Sequence, residues 1–227
     1  MDAIYREERS EITQSLKSSK SADNVNSVVI KFYERLSGRL SDIVRENNLP
    51  IACHKGCNYC CHLRVEVRAH EVFTIARFIQ KTFTQDQTRL LLDRIRDTVE
   101  SITGLTREEH FAKNIECALL SRGACSVYEV RPSMCRKHHS IDVEQCKRTF
   151  ETPHDLAIPP VGHQLLIQST RTAVLGFRDG MEKAGLDSTL YELNSAVLAA
   201  LKNPECGKKW RKGKKAFPKY AEALPAM

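Results

Sequence analysis

Four cysteines fall within nine positions of this 227-residue chain, and this group constrains the fold more than any other feature. The segment is Cys53-His-Lys-Gly-Cys57-Asn-Tyr-Cys60-Cys61. A C-x-x-C spacing, as between Cys57 and Cys60, lets two thiolates turn toward one metal ion, and structural zinc sites commonly use such pairs. Adjacent side chains in an extended segment or turn tend to point apart, so Cys60 and Cys61 do not comfortably reach one tetrahedral ion together. We therefore interpret the segment as half of a metal site.

A second group of cysteines lies further along the chain and can supply the missing ligands. It consists of Cys117, Cys125, Cys135 and Cys146. The ninth cysteine, Cys206, lies apart from both groups and is interpreted as a spare thiol. Two closed zinc sites with four thiolates each would use all eight grouped cysteines, whereas one four-iron cluster would use four. The count alone leaves zinc, iron and a 4Fe-4S cluster open as the cofactor.

The N-terminal segment bears on what these thiols can do. Residues 1–9 contain acidic side chains where a secretory signal peptide needs a basic start and then an apolar stretch. No apolar run approaches the roughly 20 residues of a membrane-spanning helix. We therefore expect a cytoplasmic protein with no membrane partner. Because a reducing compartment disfavours structural disulfides, grouped cysteines indicate metal binding there. The alternative, that the cysteines are buried as small apolar residues, suits scattered cysteines and not two groups of four.

Outside the cysteines, the sequence predicts a mainly α fold. Apolar residues recur at helical spacing over residues 25–44, 72–83, 91–102, 161–181 and 190–201. Thr84-Gln-Asp-Gln87 and Thr106-Arg-Glu-Glu109 have the pattern of capping boxes, which mark helix starts. Pro159-Pro160 can begin the fourth of these helices, and Asp187 is expected to cap the fifth.

Two short stretches near the cysteines predict extended structure. Val65 and Val67 alternate with charged residues, as in a short strand. The polar turn Ser121-Arg-Gly-Ala124 lies between apolar residues and predicts a hairpin with a cysteine near each end. We therefore expect residues 1–204 to form a single helical domain with an irregular cysteine-rich metal-binding layer and a small hairpin.

Residues 205–227 carry much of the positive charge of the chain. The segment has seven Lys or Arg residues and two Glu residues, within a chain whose formal net charge is +7. Trp210, Phe217 and Tyr220 interleave with the basic residues, as in surfaces that bind single-stranded nucleic acid. Short basic runs are, however, commonly flexible and solvated. We expect a basic, flexible tail, which indicates nucleic acid only weakly as a partner.

Basic and histidine side chains near the cysteines are candidate supports for the site. Of the cations close to the thiols in sequence, Arg131 and Arg136 are the two expected to stabilise thiolate charge through hydrogen bonds or charge. Four histidines could replace a thiolate as ligand, although eight thiols make this unnecessary: His54, His62, His138 and His139.

Three segments of the second group carry a resemblance to a known family. They are Cys117-Ala-Leu-Leu120, Gly123-Ala-Cys125-Ser-Val-Tyr128 and Arg131-Pro132-Ser-Met-Cys135-Arg136. Together with the first group, they resemble the YkgJ-type cysteine-cluster family, a zinc- or iron-chelating CxxCxxCC domain, over about residues 50–150. The resemblance implies metal ligation by Cys53, Cys57, Cys60, Cys61, Cys117, Cys125, Cys135 and Cys146. The chain departs from the family pattern because three residues, not two, separate Cys53 from Cys57.

The resemblance leaves three functions open, and with them the question of whether the protein is an enzyme. The first is a metal-binding or accessory protein that chelates zinc or iron and can have a protein partner. The second is an iron-sulfur-dependent protein-lysine methyltransferase, because flagellin lysine methylases are similar to this family in their cysteine region. The third is a zinc-supported nucleic-acid-binding module, which rests on the tail alone. The spacing from Cys53 to Cys60 also matches radical enzymes that cleave S-adenosylmethionine, but no strand and helix alternation or Gly-rich loop accompanies it.

Overall fold

Helices form most of the structure, as the apolar periodicity predicts. The computed structural model describes residues 2–54, 56–137, 139–155, 157–158 and 161–223. Its helices are α1 (Asp2–Ser15), α2 (Ala22–Glu46), α3 (Ala69–Thr82), α4 (Gln85–Ile102), α5 (Arg107–Phe111), α6 (Ser133–Arg136), α7 (Val143–Glu151), α8 (Gln164–Lys183), α9 (Leu193–Lys202) and α10 (Glu205–Arg211). The mainly α fold class is confirmed. None of the helices in these ranges has both the length and the apolar character needed to cross a membrane.

Two small antiparallel sheets complete the architecture of the described residues. β1 (Glu66–Arg68) pairs with β4 (Leu190–Glu192), and β2 (Leu120–Ser121) pairs with β3 (Ala124–Cys125). The first pair contains the predicted short strand, and the second is the predicted hairpin. In its turn, Arg122 and Gly123 have φ values of 52° and 75°. Positive φ at both central residues is typical of the type I′ turn, whose twist matches that of the two strands.

The two predicted capping boxes form at the starts of α4 and α5. Thr84 Oγ1 accepts the Gln87 N–H at 3.2 Å, and Gln87 Oε1 accepts the Thr84 N–H at 2.8 Å. Thr106 and Glu109 make the same reciprocal pair at 3.1 and 2.7 Å. Each box satisfies backbone N–H groups that have no partner inside the helix. The predicted start at Pro159-Pro160 lies outside the described residues, and α8 begins at Gln164.

Residues 190–192 differ from the prediction. They form β4 rather than the first turn of a helix, and α9 begins only at Leu193. Asp187, the predicted cap, instead accepts the Thr189 N–H at 3.2 Å. Glu192 caps α9 by accepting the N–H groups of Asn194 and Ser195 at 3.1 and 2.7 Å. Pairing with the distant strand β1 overrides the local apolar periodicity.

α3 and α9 lie at the centre of the core. Eight of the ten residues of α9 are buried, which is typical of a helix surrounded on all sides. α3 contributes Val72, Ile75 and other apolar residues. α2 packs against α3 and α4 against α9, while α8 contacts α3 through Phe177 and His70. Cys117, Cys125 and Cys135 lie against this core. The cysteine layer is therefore attached to the helices rather than forming a separate unit.

The basic C-terminal segment differs from the expected flexible tail in the residues that the structure describes. Trp210 and Phe217 are only 1% and 4% exposed. Trp210 Nε1 donates to the main-chain oxygen of Asp187 at 2.7 Å, and its ring centroid lies 5.6 Å from that of Phe73. Cys206, the spare thiol, is also buried. Two of the three aromatic residues between the lysines, Trp210 and Phe217, thus anchor the segment to the core.

Two glycines of α8 allow α1 to approach closely. A Cβ atom added to Gly176 would lie 2.5 Å from the main-chain oxygen of Tyr5, and one added to Gly180 would lie 2.7 Å from Ile12 Cβ. Neither neighbour is the flexible end of a side chain, so the helices would have to separate. We expect Gly180→Ala to lower the free energy of unfolding by about 1–3 kcal/mol, measured by urea denaturation.

Gly38 in α2 provides the matched control for this prediction. A Cβ atom at Gly38 would meet nothing within 4 Å. Gly38→Ala should therefore leave the stability unchanged or raise it slightly, because alanine is the better helix former. Equal stabilities of the two variants would contradict the close helix contact.

His70 is a buried titratable residue in the same core. Its ring centroid lies 4.8 Å from that of Phe177, and it is 5% exposed. Burial lowers the pKa of His70 to about 4 from its ordinary value of 6.5. Between these two pH values the unfolded chain binds a proton at His70 that the folded protein does not. The stability should therefore fall as the pH drops from 6.5 to about 4, by about 3 kcal/mol in total.

Urea denaturation of the protein and of His70→Gln across this pH range tests the prediction. Acid also releases metal from thiolates, but it does so in both proteins. The difference between the two pH dependences therefore isolates His70. We expect the variant to lose less stability on acidification, and identical losses would show that His70 is not the group responsible.

Candidate metal centre

The eight grouped cysteines lie on several segments around the core. Cys53 and Cys57 lie in the loop after α2, and Cys60 and Cys61 in the 3-10 turn Tyr59–His62. The other four lie before β2, at the end of β3, in α6 and in α7, and they are Cys117, Cys125, Cys135 and Cys146. All eight are half-buried free thiols.

Four thiols line one cavity, and we call them the outer thiols: Cys53, Cys57, Cys60 and Cys146. Burial raises the pKa of Cys53, and negative charge on the other three raises it further. Burial also raises the pKa of Cys146, with smaller contributions from Cys57 and Cys60. The backbone N–H of Ser140 donates to Cys53 Sγ at 3.0 Å, and a hydrogen bond with the Ser140 side chain lowers the pKa of Cys146. The outer thiols are therefore near neighbours.

Three further thiols lie against the core, and we call them the inner thiols: Cys117, Cys125 and Cys135. Burial is the main cause that raises the pKa of each. Negative charge on Cys125 raises the pKa of both Cys117 and Cys135. The backbone N–H groups of Leu119 and Val127 donate to Cys117 and Cys125, respectively, and lower their pKa. Such N–H donors favour the thiolate, which is the form that binds metal.

The adjacent residues Cys60 and Cys61 connect the two sets. A hydrogen bond with Cys61 is the largest cause that raises the pKa of Cys60. Negative charge on Cys60 in turn raises the pKa of thiols in both sets, namely Cys53, Cys146, Cys125 and Cys135. The main-chain oxygen of Cys61 accepts the N–H of Cys117 at 2.9 Å. The structure therefore brings the two cysteine segments together at this pair.

The donor set fits a thiophilic metal ion in its chemistry. Six of the eight thiols have a raised pKa because they are buried close to one another. Bound zinc or iron would add the positive charge that reverses this effect and keeps the sulfurs deprotonated. Among the described residues, no three His, Cys, Asp or Glu side chains are placed so that they could hold a metal ion as they stand. Ligation by the eight cysteines stays a prediction.

The two predicted arginines act on the site differently. The charge of Arg131 lowers the pKa of three thiols, namely Cys60, Cys125 and Cys135. Its guanidinium lies over the Tyr128 ring, 4.1 Å from the centroid. Arg136 donates from Nε to the main-chain oxygen of Arg131 at 2.9 Å and lies over the Tyr33 ring at 4.3 Å. Arg131 therefore opposes the repulsion between thiolates, whereas Arg136 holds the backbone beside it.

Two of the four candidate histidines, His54 and His62, make contacts outside the thiol sets. His54 is exposed, with Nδ1 3.2 Å from the main-chain oxygen of Ala52. The His62 ring packs edge-on against Phe150 with centroids 4.8 Å apart, and His139 lines the cavity of the outer thiols. His138 lies outside the described residues.

A buried carboxylate in α3, Glu71, holds the segment that carries Cys135. Glu71 is 3% exposed. Its Oε1 accepts the N–H and the hydroxyl of Ser133 at 2.8 and 2.7 Å and the hydroxyl of Tyr33 at 3.3 Å, while Oε2 accepts the N–H of Arg68 at 3.0 Å. The sequence gives no signal of this role, because Glu71 and Ser133 are 62 residues apart.

Asn194, at the start of α9, supports Cys117 in a similar way. Its Oδ1 accepts the N–H of Ala118 at 3.1 Å and lies 3.8 Å from Cys117 Sγ. Glu192, which is 4% exposed, accepts a hydrogen bond from Asn194 Nδ2 at 2.9 Å. No motif in the sequence pointed to these residues, because they lie beyond the cysteine region. The core therefore positions inner thiols through Glu71 on one side and Asn194 on the other.

Comparison with known proteins supports the cysteine region as a domain. Residues 52–154 match a family model named CxxCxxCC, whose description is "Putative zinc- or iron-chelating domain". This range contains all eight grouped cysteines and both candidate arginines. No curated protein and no solved structure matches the chain. The predicted resemblance to a CxxCxxCC domain is confirmed.

Proposed function

From the match of residues 52–154 to the CxxCxxCC zinc- or iron-chelating family, we propose that this protein binds metal through all eight grouped cysteines. An outer site uses Cys53, Cys57, Cys60 and Cys146. An inner site uses Cys61, Cys117, Cys125 and Cys135. Each set then has the four thiolates of a closed zinc site. The observation that carries this proposal is that Cys53, Cys57, Cys60 and Cys146 line one cavity, whereas the main-chain oxygen of Cys61 accepts the N–H of the inner thiol residue Cys117 at 2.9 Å.

The assignment of Cys60 and Cys61 to different sites follows from their surroundings. Cys60 lines the cavity together with the other outer thiols. The main-chain oxygen of Cys61 accepts a hydrogen bond from the backbone N–H of Cys117, whose thiol belongs to the inner set. A tight 3-10 turn directs successive side chains to different sides. Dividing the pair between two sites therefore avoids forcing adjacent side chains onto one ion.

A cation and several backbone N–H groups can offset the negative charge of the proposed centre. Two zinc ions on eight thiolates leave a net charge of about −4 by formal counting. Arg131 offsets part of this charge, and N–H donors from Leu119, Val127 and Ser140 stabilise the sulfurs. A reducing, cytoplasmic location, which keeps the thiols available for metal, is part of the proposal.

Differential alkylation of the cysteines tests the proposal. Protein purified without oxygen is treated with N-ethylmaleimide, before and after removal of metal with a strong chelator, and the modified residues are identified by mass spectrometry. We expect the eight grouped cysteines to be protected before chelation and modified afterwards. Equal modification of these residues in both states would overturn the proposal.

Cys206 is the internal control in this experiment. It is buried in α10 and is assigned to neither site. Its modification should therefore be slow in both states, because burial and not metal protects it. Chelation that exposes Cys206 as well would indicate global unfolding rather than loss of metal alone.

The methyltransferase alternative is favoured by a separate observation. The outer thiols face a cavity of about 390 Å³, and a catalytic metal centre needs open space beside it for a substrate. An iron-sulfur centre would make the anaerobic protein brown, with acid-labile sulfide in proportion to iron. Colourless protein that contains zinc and no labile sulfide would exclude this alternative.

Two of the three aromatic residues that suggested nucleic-acid binding are buried. Trp210 and Phe217 are buried against the core and cannot stack on bases. Tyr220 is 64% exposed, and the lysines around it remain in solvent. We therefore do not propose nucleic acid as the partner.

A further inference from the structure

The cavity beside the outer thiols is larger than a metal site requires. It has a volume of about 390 Å³, which falls within the range of roughly 300–1,000 Å³ that is typical of small-molecule sites. Its walls are mainly apolar and include Tyr59, Leu63, Phe111, Phe150, Ile158 and Ile167. Metal binding uses only the wall that carries the thiols. The apolar walls have no role in the function proposed above.

Contacts between separate segments hold these walls in place. Thr149 Oγ1 donates to the main-chain oxygen of Ile158 at 2.8 Å. The side-chain amide of Asn114 donates to the main-chain oxygen of Phe150. The Phe150 ring centroid lies 5.7 Å from that of Tyr59, in the turn that carries Cys60. The cavity is therefore built from several connected segments and is not a gap beside one loose loop.

Lys137 brings positive charge to this apolar cavity. It is half-buried and lines the cavity together with Ser140. Within the part of the chain that the structure describes, no carboxylate oxygen lies within 4.0 Å of its ammonium group. Asp155 also lines the cavity, but it is exposed and accepts the N–H of Ala157 at 3.0 Å. Among the residues that the structure describes, the cavity thus combines apolar walls with the cation Lys137, which has no carboxylate within ion-pair distance.

We propose that this cavity binds a small apolar acid, whose hydrocarbon part lies against the aromatic walls and whose carboxylate lies beside Lys137. The outer site with one zinc ion keeps a net charge of about −2, which repels an anion. The positive charge of Lys137 therefore allows the cavity to accept the carboxylate of the acid. The inference goes beyond metal binding and rests on the cavity and its charge, not on which metal is present.

Binding of 2-naphthoate and of its uncharged analogue 2-naphthamide to the metal-loaded protein tests the proposal by fluorescence titration. We expect saturable binding of one naphthoate per chain, tighter than that of the amide. Lys137→Met should weaken naphthoate binding by about tenfold or more and leave the amide unaffected. Equal affinities for the two probes, no effect of Lys137→Met, or no saturable binding would overturn the proposal.

Two exposed positions provide a matched pair of tryptophan variants. Val161 lines the cavity and is 39% exposed, whereas Leu165 is 36% exposed and is not part of the cavity wall. Val161→Trp should abolish binding of both probes by filling the cavity, and Leu165→Trp should have no effect. Equal binding by both variants would show that the probes bind elsewhere. The metal content of each variant, measured in parallel, separates failure of this inference from failure of metal binding.

Discussion

Replacement of Cys60 by serine is expected to remove more bound metal than replacement of any other cysteine. Cys60 lines the cavity of the outer thiols and is hydrogen-bonded to Cys61, and a negative charge on its sulfur would raise the pKa of two outer and two inner thiols. Its loss opens the outer site and removes the link to the inner one. We expect the metal content per chain, measured by elemental analysis of anaerobically purified protein, to fall by roughly half or more.

Cys206→Ser is the control for this prediction. Cys206 lies in α10, away from both sets of thiols, and the variant should keep the metal content of the unmodified protein. A normal metal content in Cys60→Ser would show that this thiol is not a ligand. Equal loss of metal in both variants would indicate an effect of folding rather than of ligation.

Replacement of Glu71 by glutamine should weaken both the fold and the metal site. The carboxylate accepts hydrogen bonds from Ser133, Arg68 and Tyr33, and an amide group cannot accept all of them. A buried donor that loses its partner is costly, so we expect the free energy of unfolding to fall by about 2–3 kcal/mol. Because Ser133 starts the helix that carries Cys135, the variant should also lose metal to a competing chelator about tenfold more readily.

Glu144→Gln is the matched control for Glu71→Gln. Glu144 is exposed in α7, two residues before Cys146, so it shares the closeness to a ligand but not the buried hydrogen bonds. Its replacement should change neither the urea midpoint nor the retention of metal. If Glu71→Gln behaves like this control, Glu71 does not position the cysteine segment.

Local sequence patterns predicted the elements that local chemistry determines. The capping boxes at Thr84 and Thr106 and the hairpin turn at Arg122-Gly123 depend on residues within four positions of one another. The strand Leu190–Glu192 depends instead on its partner Glu66–Arg68, and the same apolar spacing also suits a helix. Pairing between distant segments therefore makes Leu190–Glu192 a strand where the local pattern predicts a helix.

The residues of the candidate site also divide into those with a local sequence signal and those that depend on distant contacts. The eight cysteines and Arg131 could be named from spacing and from family resemblance, and in the structure four of these thiols line one cavity while three others lie against the core. Glu71 and Asn194 could not be named from the sequence, because their hydrogen bonds to the thiol-bearing segments join residues that are 62 and 76 positions apart. The burial of Trp210 was missed because lysines around it dominate the local composition. Side chains that support a site from the core have no sequence signature of their own.

Native mass spectrometry of the anaerobically purified protein tests the central claim, that all eight grouped cysteines form two metal sites. Each divalent metal ion replaces two protons in the total charge of the protein ion, so the exact mass gives the number of bound ions and their charge. We predict a folded chain with two metal ions and four protons displaced, in which all eight grouped cysteines of the same sample are protected from N-ethylmaleimide. A metal-free folded chain, or a single four-iron cluster held by four thiols, would contradict the claim.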